Sequence, residues 1–201
     1  MASTSSSFIF VPKYDAFLSF RGEDTGYNFI DHLYVALCRA EIVTFLDSET
    51  IQAGQQLLPE ILRVITESRA SIVVFTENYA KSSWCLEELL LILEQKRKGS
   101  HFVLPVYHGV DPSDVWNQRG NFKIEAKTGW TVDKVNHWKA ALTEVANLMV
   151  SAVTGYRPET SLIIDIVNTI YSQLGLNPHN PPPIFDHLIE DGMEGKHIGK
   201  N

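Results

Sequence analysis

The sequence predicts an α/β protein with a parallel sheet covered by helices on both faces. Apolar segments with strand-like and helix-like spacing alternate five times along the chain, an order that requires crossover connections and parallel strands. The run SIVVFT at 71–76 is almost continuously apolar and β-branched, as expected for a central strand buried on both faces. With 201 residues, of which 44% are hydrophobic and 20% charged, the chain suits one globular domain.

Each element is predicted from the spacing of its apolar residues. Strands are predicted at 14–20, 43–47, 71–76, 102–110 and 149–153. Helices are predicted around 29–37, 58–65, 82–98, 138–148 and 163–174. Pro105 fits poorly inside a strand, but the β-branched and aromatic residues around it favour a strand at this place.

Charge and cysteine content exclude several classes of protein. The net charge of -7 argues against nucleic-acid binding, because contact with phosphates needs a basic face. The two cysteines, Cys38 and Cys85, are predicted to be buried thiols of a reduced interior. No apolar segment approaches the roughly 20 residues that cross a bilayer, and the N-terminus does not resemble a signal peptide. We therefore expect a cytoplasmic protein, with the nucleus as a second location, and no metal site.

Two adjacent carboxylates, Glu87 and Glu88, interrupt an otherwise apolar predicted helix in the segment SSWCLEELLLILEQ. The simplest interpretation is that both face water. The alternative is that Trp84 and Glu88, one turn apart on the same helix face, line one side of a pocket. Ligands of parallel α/β sheets bind outside the carboxyl ends of the strands. The start of this helix and the loops after the first two strands are expected to meet there.

Three motifs in fixed order, YDAFLSFRGEDT, SSWCLEEL and LPVYHGVDPSDV, resemble the plant branch of the Toll/interleukin-1 receptor (TIR) domain family. The resemblance implies a flavodoxin-like three-layer fold with a five-stranded parallel sheet. The resemblance assigns a TIR domain to residues 13–175. Composition predicts a flexible Ser-rich N-terminal segment (1–12) before it and a disordered, Pro-rich and polar tail (176–201) after it. The resemblance further implies a relative of the N-terminal domain of TIR-type disease-resistance receptors, without their nucleotide-binding and leucine-rich repeat parts.

The resemblance also implies an activity, cleavage of NAD at the bond that joins nicotinamide to ribose. NAD is then a substrate, and no cofactor is expected. The family's catalytic glutamate corresponds to Glu88, whereas Glu87 falls at a variable position and is expected to be solvated. The chemistry is reasonable, because the cationic nicotinamide leaves as a neutral base and one carboxylate can stabilise an oxocarbenium-like transition state. Whether the product is linear, cyclic or variant ADP-ribose stays open.

The family places NAD against two loops and the start of the Trp84 helix. The corresponding residues in this chain are Arg21, Gly22, Glu23, Asp24, Thr25, Gly26, Gly54 and Trp84. Arg21 is suited to face a phosphate, but Asp24 and Thr25 are also good helix caps, so this segment can equally serve to begin the first helix. Family members usually carry arginine where this chain has Gly26 and Ala53, which removes positive charge near the diphosphate.

The family self-associates through its first helix, at positions that correspond to Asp31 and His32; His32 can equally be an ordinary surface histidine. The expected partners are therefore NAD and other TIR domains, in homo- or hetero-oligomers, and neither nucleic acid nor membrane. Two functions are compatible with these residues. One is an NAD-cleaving signalling enzyme of plant innate immunity that self-association activates, which the retained tryptophan and glutamate favour. The other is a non-catalytic TIR interaction module in defence signalling, which the two missing arginines favour.

Overall fold

A parallel sheet with the strand order β2-β1-β3-β4 lies at the centre of the protein. The computed structural model describes residues 11–46, 57–99, 101–125, 129–148 and 158–176, without the side chains of 25–28 and 57–58. The strands are β1 (Tyr14–Ser19), β2 (Thr44–Leu46), β3 (Ser68–Phe75) and β4 (Phe102–Tyr107). Their register places Leu46, Leu18, Ile72 and Leu104 side by side across the sheet.

Helices cover both faces of this sheet. They are α1 (Gly22–Arg39), α2 (Leu57–Thr66), α3 (Ser83–Lys98), α4 (Pro112–Asn117), α5 (Val132–Ala146) and α6 (Glu159–Gln173). Apolar residues of α1 and α6 pack on one face, and those of α2, α3 and α5 pack on the other. The predicted three-layer α/β architecture is therefore confirmed. Among the described residues, no helix combines the length and the apolar character that crossing a membrane requires.

The described sheet has four strands, whereas five were predicted. The predicted fifth strand, 149–153, lies outside the described residues. Pro105 does lie within β4, opposite Val73 of β3. Because β4 is an edge strand of the described sheet, it occupies the place where a strand best tolerates proline.

The structure decides one open alternative and corrects one prediction. The first helix begins at Gly22, so the segment 22–26 belongs to the helix and not to a loop. Cys38 is an exposed free thiol, whereas Cys85 is buried as predicted. Leu33 and Leu37 occupy the buried stripe of α1, and the residue after Leu37 is turned about 100° away from that stripe.

A buried histidine connects the amino ends of β3 and β4. His101 is 6% exposed. Its Nδ1 lies 3.0 Å from the carbonyl oxygen of Ser68, and its Nε2 lies 2.8 Å from Oγ of Ser71. These contacts fit a neutral ring that donates through Nδ1–H and accepts at Nε2. Burial lowers the pKa of His101, and the bond to Ser68 opposes this shift in part.

We expect the free energy of unfolding to decrease as the pH falls below about 6.5, the pKa of an unperturbed histidine. The unfolded chain then gains a proton that the buried His101 does not accept. This contribution is complete above the unfolded-state pKa and is lost as the pH falls towards the lower folded-state pKa. Urea denaturation between about pH 7.5 and about pH 5 should show a smaller decrease for His101→Gln than for wild type. Equal decreases would contradict the assignment to His101.

Candidate active site

Glu88 lies in the second turn of α3, and its carboxylate points to the end of β1. It is 1% exposed, and its Oε2 accepts a hydrogen bond of 2.7 Å from Oγ of Ser19. Ser19 is the last residue of β1, so the acid lies at the carboxyl end of the sheet, where parallel α/β sheets bind ligands. The interpretation that this glutamate faces water is wrong.

The start of α3 is fixed by local and tertiary contacts. The Ser82 side chain caps the helix by accepting a hydrogen bond of 3.2 Å from the backbone N–H of Cys85. The thiol of Cys85 lies 3.7 Å from the carbonyl oxygen of Phe20, in the segment after β1. One turn further along, Glu88 lies on the same buried face as Cys85 and Leu89. The sequence pattern of α3 therefore directs this acid towards the sheet.

The neighbouring predicted residues have different surroundings. Glu87, which was predicted to be solvated, is half-buried. Its Oε1 pairs with Nζ of Lys134 on α5 at 2.6 Å, a partner that the sequence did not indicate. The Lys134 ammonium also lies 5.1 Å from the centre of the Trp138 ring. Trp84 is half-buried and packs against the core between the sheet and α3. Only Glu88 of the two glutamates therefore reaches the end of the sheet.

Asp24 joins α1 to the segment that follows β3. Its Oδ2 accepts hydrogen bonds from Oγ1 of Thr76 at 2.7 Å and from the backbone N–H of Asn78 at 2.8 Å. Its Oδ1 accepts from Nδ2 of Asn78 at 3.0 Å. The N-cap of α1 is Arg21, without a side-chain capping bond. Asp24 does not cap its own helix, but the segment does begin α1, as that alternative predicted.

Arg21, the N-cap of α1, contacts both the first turn of α1 and the segment after β3. Its Nη1 donates to the carbonyl oxygen of Asn78 at 2.7 Å, its Nη2 pairs with Glu23, and its Nε lies 3.6 Å from Oδ1 of Asp24. The Arg21 side chain is 17% exposed, whereas that of Glu23 is 73% exposed. A ligand phosphate would therefore have to displace the exposed Glu23 carboxylate in order to pair with Arg21.

The remaining predicted NAD contacts are only partly described. Gly22, Thr25 and Gly26 lie in the first turns of α1, and the side chain of Thr25 is outside the described part of the structure. Gly54, together with Ala53, falls outside the described residues. The described part of the site therefore consists of the end of β1, the start of α1, the segment after β3 and the first two turns of α3.

Asp31 and His32, the predicted self-association residues, are exposed on α1. Nδ1 of His32 lies 2.9 Å from Oε1 of Glu159, the first residue of α6. Near this pair, the ring of His108 stacks on Phe29 of α1 with their centres 4.2 Å apart. Burial lowers the pKa of His108, and the nearby Glu159 opposes that shift. Helices α1 and α6 therefore meet at His32.

Sequence reasoning missed three residues that build the site: Ser19, Thr76 and Asn78. Each lies at or just after the end of a strand, which is the only signal that the sequence offered. Their partners are 52 to 69 residues away in the chain, a distance that no local pattern can bridge. Among the described residues, no cluster of three or more histidine, cysteine or acidic side chains is arranged to hold a metal ion.

Comparisons with known proteins agree with this fold. The chain is 48% identical over 179 residues to disease resistance protein RPV1 of Vitis rotundifolia; the match covers 86% of this chain and 13% of that protein. One similar solved structure is that of the TIR domains of the activated Roq1 resistosome, which directly recognizes the pathogen effector XopQ. It is 43% identical to this chain, with a TM-score of 0.68, and the match covers 78% of this chain and 99% of that one.

A second solved structure, the RPS4 and RRS1 TIR domain heterodimer, has a TM-score of 0.52 at 20% identity, covering 80% of this chain and 98% of that one, and supports the fold alone. The family model described as TIR domain matches residues 13–183. That match covers most of the chain, including the rim that holds Glu88, Arg21 and Asp24. The chain belongs to the TIR domain family.

Proposed function

We propose that this chain is an NAD-cleaving enzyme that hydrolyses the bond between nicotinamide and ribose. The observation that carries the proposal is the Glu88 carboxylate, which is buried at the carboxyl end of the sheet and held there by Ser19. An acid group in such a position is unusual, because charged side chains are almost never fully buried without a partner or a function. The proposed setting is plant disease resistance, for which the relative RPV1 is named.

One carboxylate can accomplish this chemistry. The bond between C1′ of the ribose and the nicotinamide nitrogen breaks, and its electron pair leaves with the nitrogen, so that nicotinamide departs as a neutral base. A water oxygen then bonds to C1′ and releases a proton, which gives ADP-ribose. Positive charge develops on the ribose in between, and a carboxylate beside it stabilises that charge. The low exposure of Glu88 strengthens the interaction, because little water screens it.

The other predicted contacts divide into three groups under this proposal. The proposed NAD contacts remain Arg21, Gly22, Gly26 and Gly54. Arg21 would exchange its exposed partner, the Glu23 carboxylate, for a phosphate of the substrate. Asp24 instead shapes the loop from within, since its two carboxylate oxygens already accept three hydrogen bonds. Three further residues stay predicted NAD contacts: Trp84 at the start of α3, and Glu23 and Thr25 at the start of α1.

Self-association is the proposed activator. The carboxylate of Glu88 is almost entirely inaccessible, so the ribose can reach it only after neighbouring segments move, and association offers a free energy source for that movement. The exposed residues Asp31 and His32, with Glu159 beside them, form the proposed contact surface. The solved heterodimer of RPS4 and RRS1 TIR domains is an assembly of the same fold.

The proposal is tested by measuring nicotinamide release from NAD at increasing concentrations of the purified chain. We expect the rate per chain to increase with concentration, because only associated chains are active. His32→Ala should shift this increase to roughly tenfold higher concentration, which corresponds to the loss of about 1.4 kcal/mol of association free energy. The control is Lys98→Ala, which removes an exposed residue of α3 away from this surface. Identical concentration curves for wild type and His32→Ala would contradict the proposed contact surface.

A further inference from the structure

We propose that Ser19 is a positioning residue for Glu88, so that its hydroxyl fixes the carboxylate in the orientation that the reaction requires. This inference depends on the proposed NAD cleavage and adds a second residue to it. Neither the sequence pattern nor the resemblance assigned a role to Ser19.

The contact is direct and completely buried. Ser19 is 0% exposed and Glu88 is 1% exposed, and the distance of 2.7 Å between Oγ and Oε2 is typical of a well-formed O–H···O bond. Side chains of a strand alternate between its two faces, and Phe17, two residues before Ser19, belongs to the core beneath α3. Ser19 therefore points at α3 because of its position in β1, and its hydroxyl meets the acid there.

The end of β1 holds α3 at a second point. The carbonyl oxygen of Phe20 accepts from the Cys85 thiol at 3.7 Å, and Cys85 lies one turn before Glu88 on the same helix face. The last residue of β1 and the residue after it thus contact both the helix and the side chain of its acid. The Ser19 hydroxyl therefore supplies the contact that orients Oε2 of Glu88 towards the end of β1.

A purely structural role for Ser19 is the competing explanation, because any buried acid needs a hydrogen-bond donor. Ser71 provides a matched control. It faces the same side of the sheet as Phe17 and Val73, it is also 0% exposed, and its hydroxyl makes a buried bond of 2.8 Å to His101. Ser71→Ala thus removes a comparable hydrogen bond that does not involve Glu88.

The first experiment measures kcat and KM for nicotinamide release by wild type, Ser19→Ala, Ser19→Thr and Ser71→Ala. We expect Ser19→Ala to lower kcat by about 10- to 100-fold, because small displacements of a catalytic group have effects of this size. Its KM should change by less than about threefold, since the interaction acts in the transition state. Ser19→Thr keeps the hydroxyl and should recover most of kcat, and Ser71→Ala should keep the wild-type value. Equal kcat values for Ser19→Ala and wild type would overturn the inference.

The second experiment does not depend on activity. Melting temperatures are measured for Ser19→Ala, Glu88→Ala and the double variant, because alanine at either position removes the shared hydrogen bond. Because the two side chains share one bond, the shift of the double variant should differ from the sum of the single shifts. Additive shifts would overturn the positioning role. In the first experiment, Ser19→Cys replaces Ser19→Thr if the added methyl group of threonine prevents folding. If wild type releases no nicotinamide, the proposed function fails and takes this inference with it, whereas a non-additive cycle would still identify Ser19 as the residue that holds the acid.

Discussion

Glu88→Gln is expected to lower the rate of nicotinamide release by at least about 100-fold, with little change in the fold. Glutamine has nearly the same volume as glutamate, and its amide oxygen can still accept the Ser19 hydrogen bond. What disappears is the negative charge beside the ribose. That charge acts strongly, because Glu88 is almost completely shielded from water. Chromatographic measurement of free nicotinamide over time gives the rate.

The matched control for this variant is Glu87→Gln. It removes the same charge from the adjacent residue of α3 and, among the described residues, breaks the ion pair with Lys134 on α5. A half-buried surface pair of this kind contributes little, so the rate should stay within about twofold of wild type. A comparable loss in both variants would show that the charge of α3, and not the position of Glu88, sets the rate.

Asp24→Ala is expected to reduce the free energy of unfolding by about 3 kcal/mol. The substitution leaves two donors of Asn78 and the hydroxyl of Thr76 without their acceptor in a partly buried position. It also removes the carboxylate nearest to Nε of Arg21. Urea denaturation followed by circular dichroism measures the change.

Glu23→Ala is the control in the same turn of α1. Its side chain is 73% exposed and pairs only with Arg21 among the bonds described for it, so its removal should change the free energy of unfolding by less than about 0.5 kcal/mol. If Asp24→Ala unfolds like wild type but raises the KM for NAD, Asp24 contacts the substrate and does not shape the loop.

The layers of the fold were predictable from local patterns. The run 71–76 identified the central strand β3, because a strand buried on both faces needs apolar residues at consecutive positions. The boundaries were less predictable. At the start of α1 the sequence allowed both a loop and a helix, because Arg21 and Gly22 resemble a turn. The acidic residues of the first helical turn, Glu23 and Asp24, favour a helix start through its dipole, and the structure has the helix.

The candidate site was predictable only in part. The motif around Trp84 led to Glu88, and the structure places that acid at the predicted end of the sheet. The sequence could not show that Ser19 donates to it, because strand alternation fixes a side chain's face but not its partner on a helix 69 residues away. The prediction that Cys38 is buried was wrong for a similar reason. A shift of one position along a helix is enough to move a residue from the buried stripe to the surface.

The decisive measurement counts the products formed from NAD by purified wild-type chain and by Glu88→Ala, at several protein concentrations and with a crowding agent. We predict one nicotinamide for each NAD consumed by wild type, at a rate per chain that increases with concentration, and no release above background by Glu88→Ala. Equal and slow NAD consumption by the two proteins at every concentration would contradict the assignment of catalysis to this buried acid.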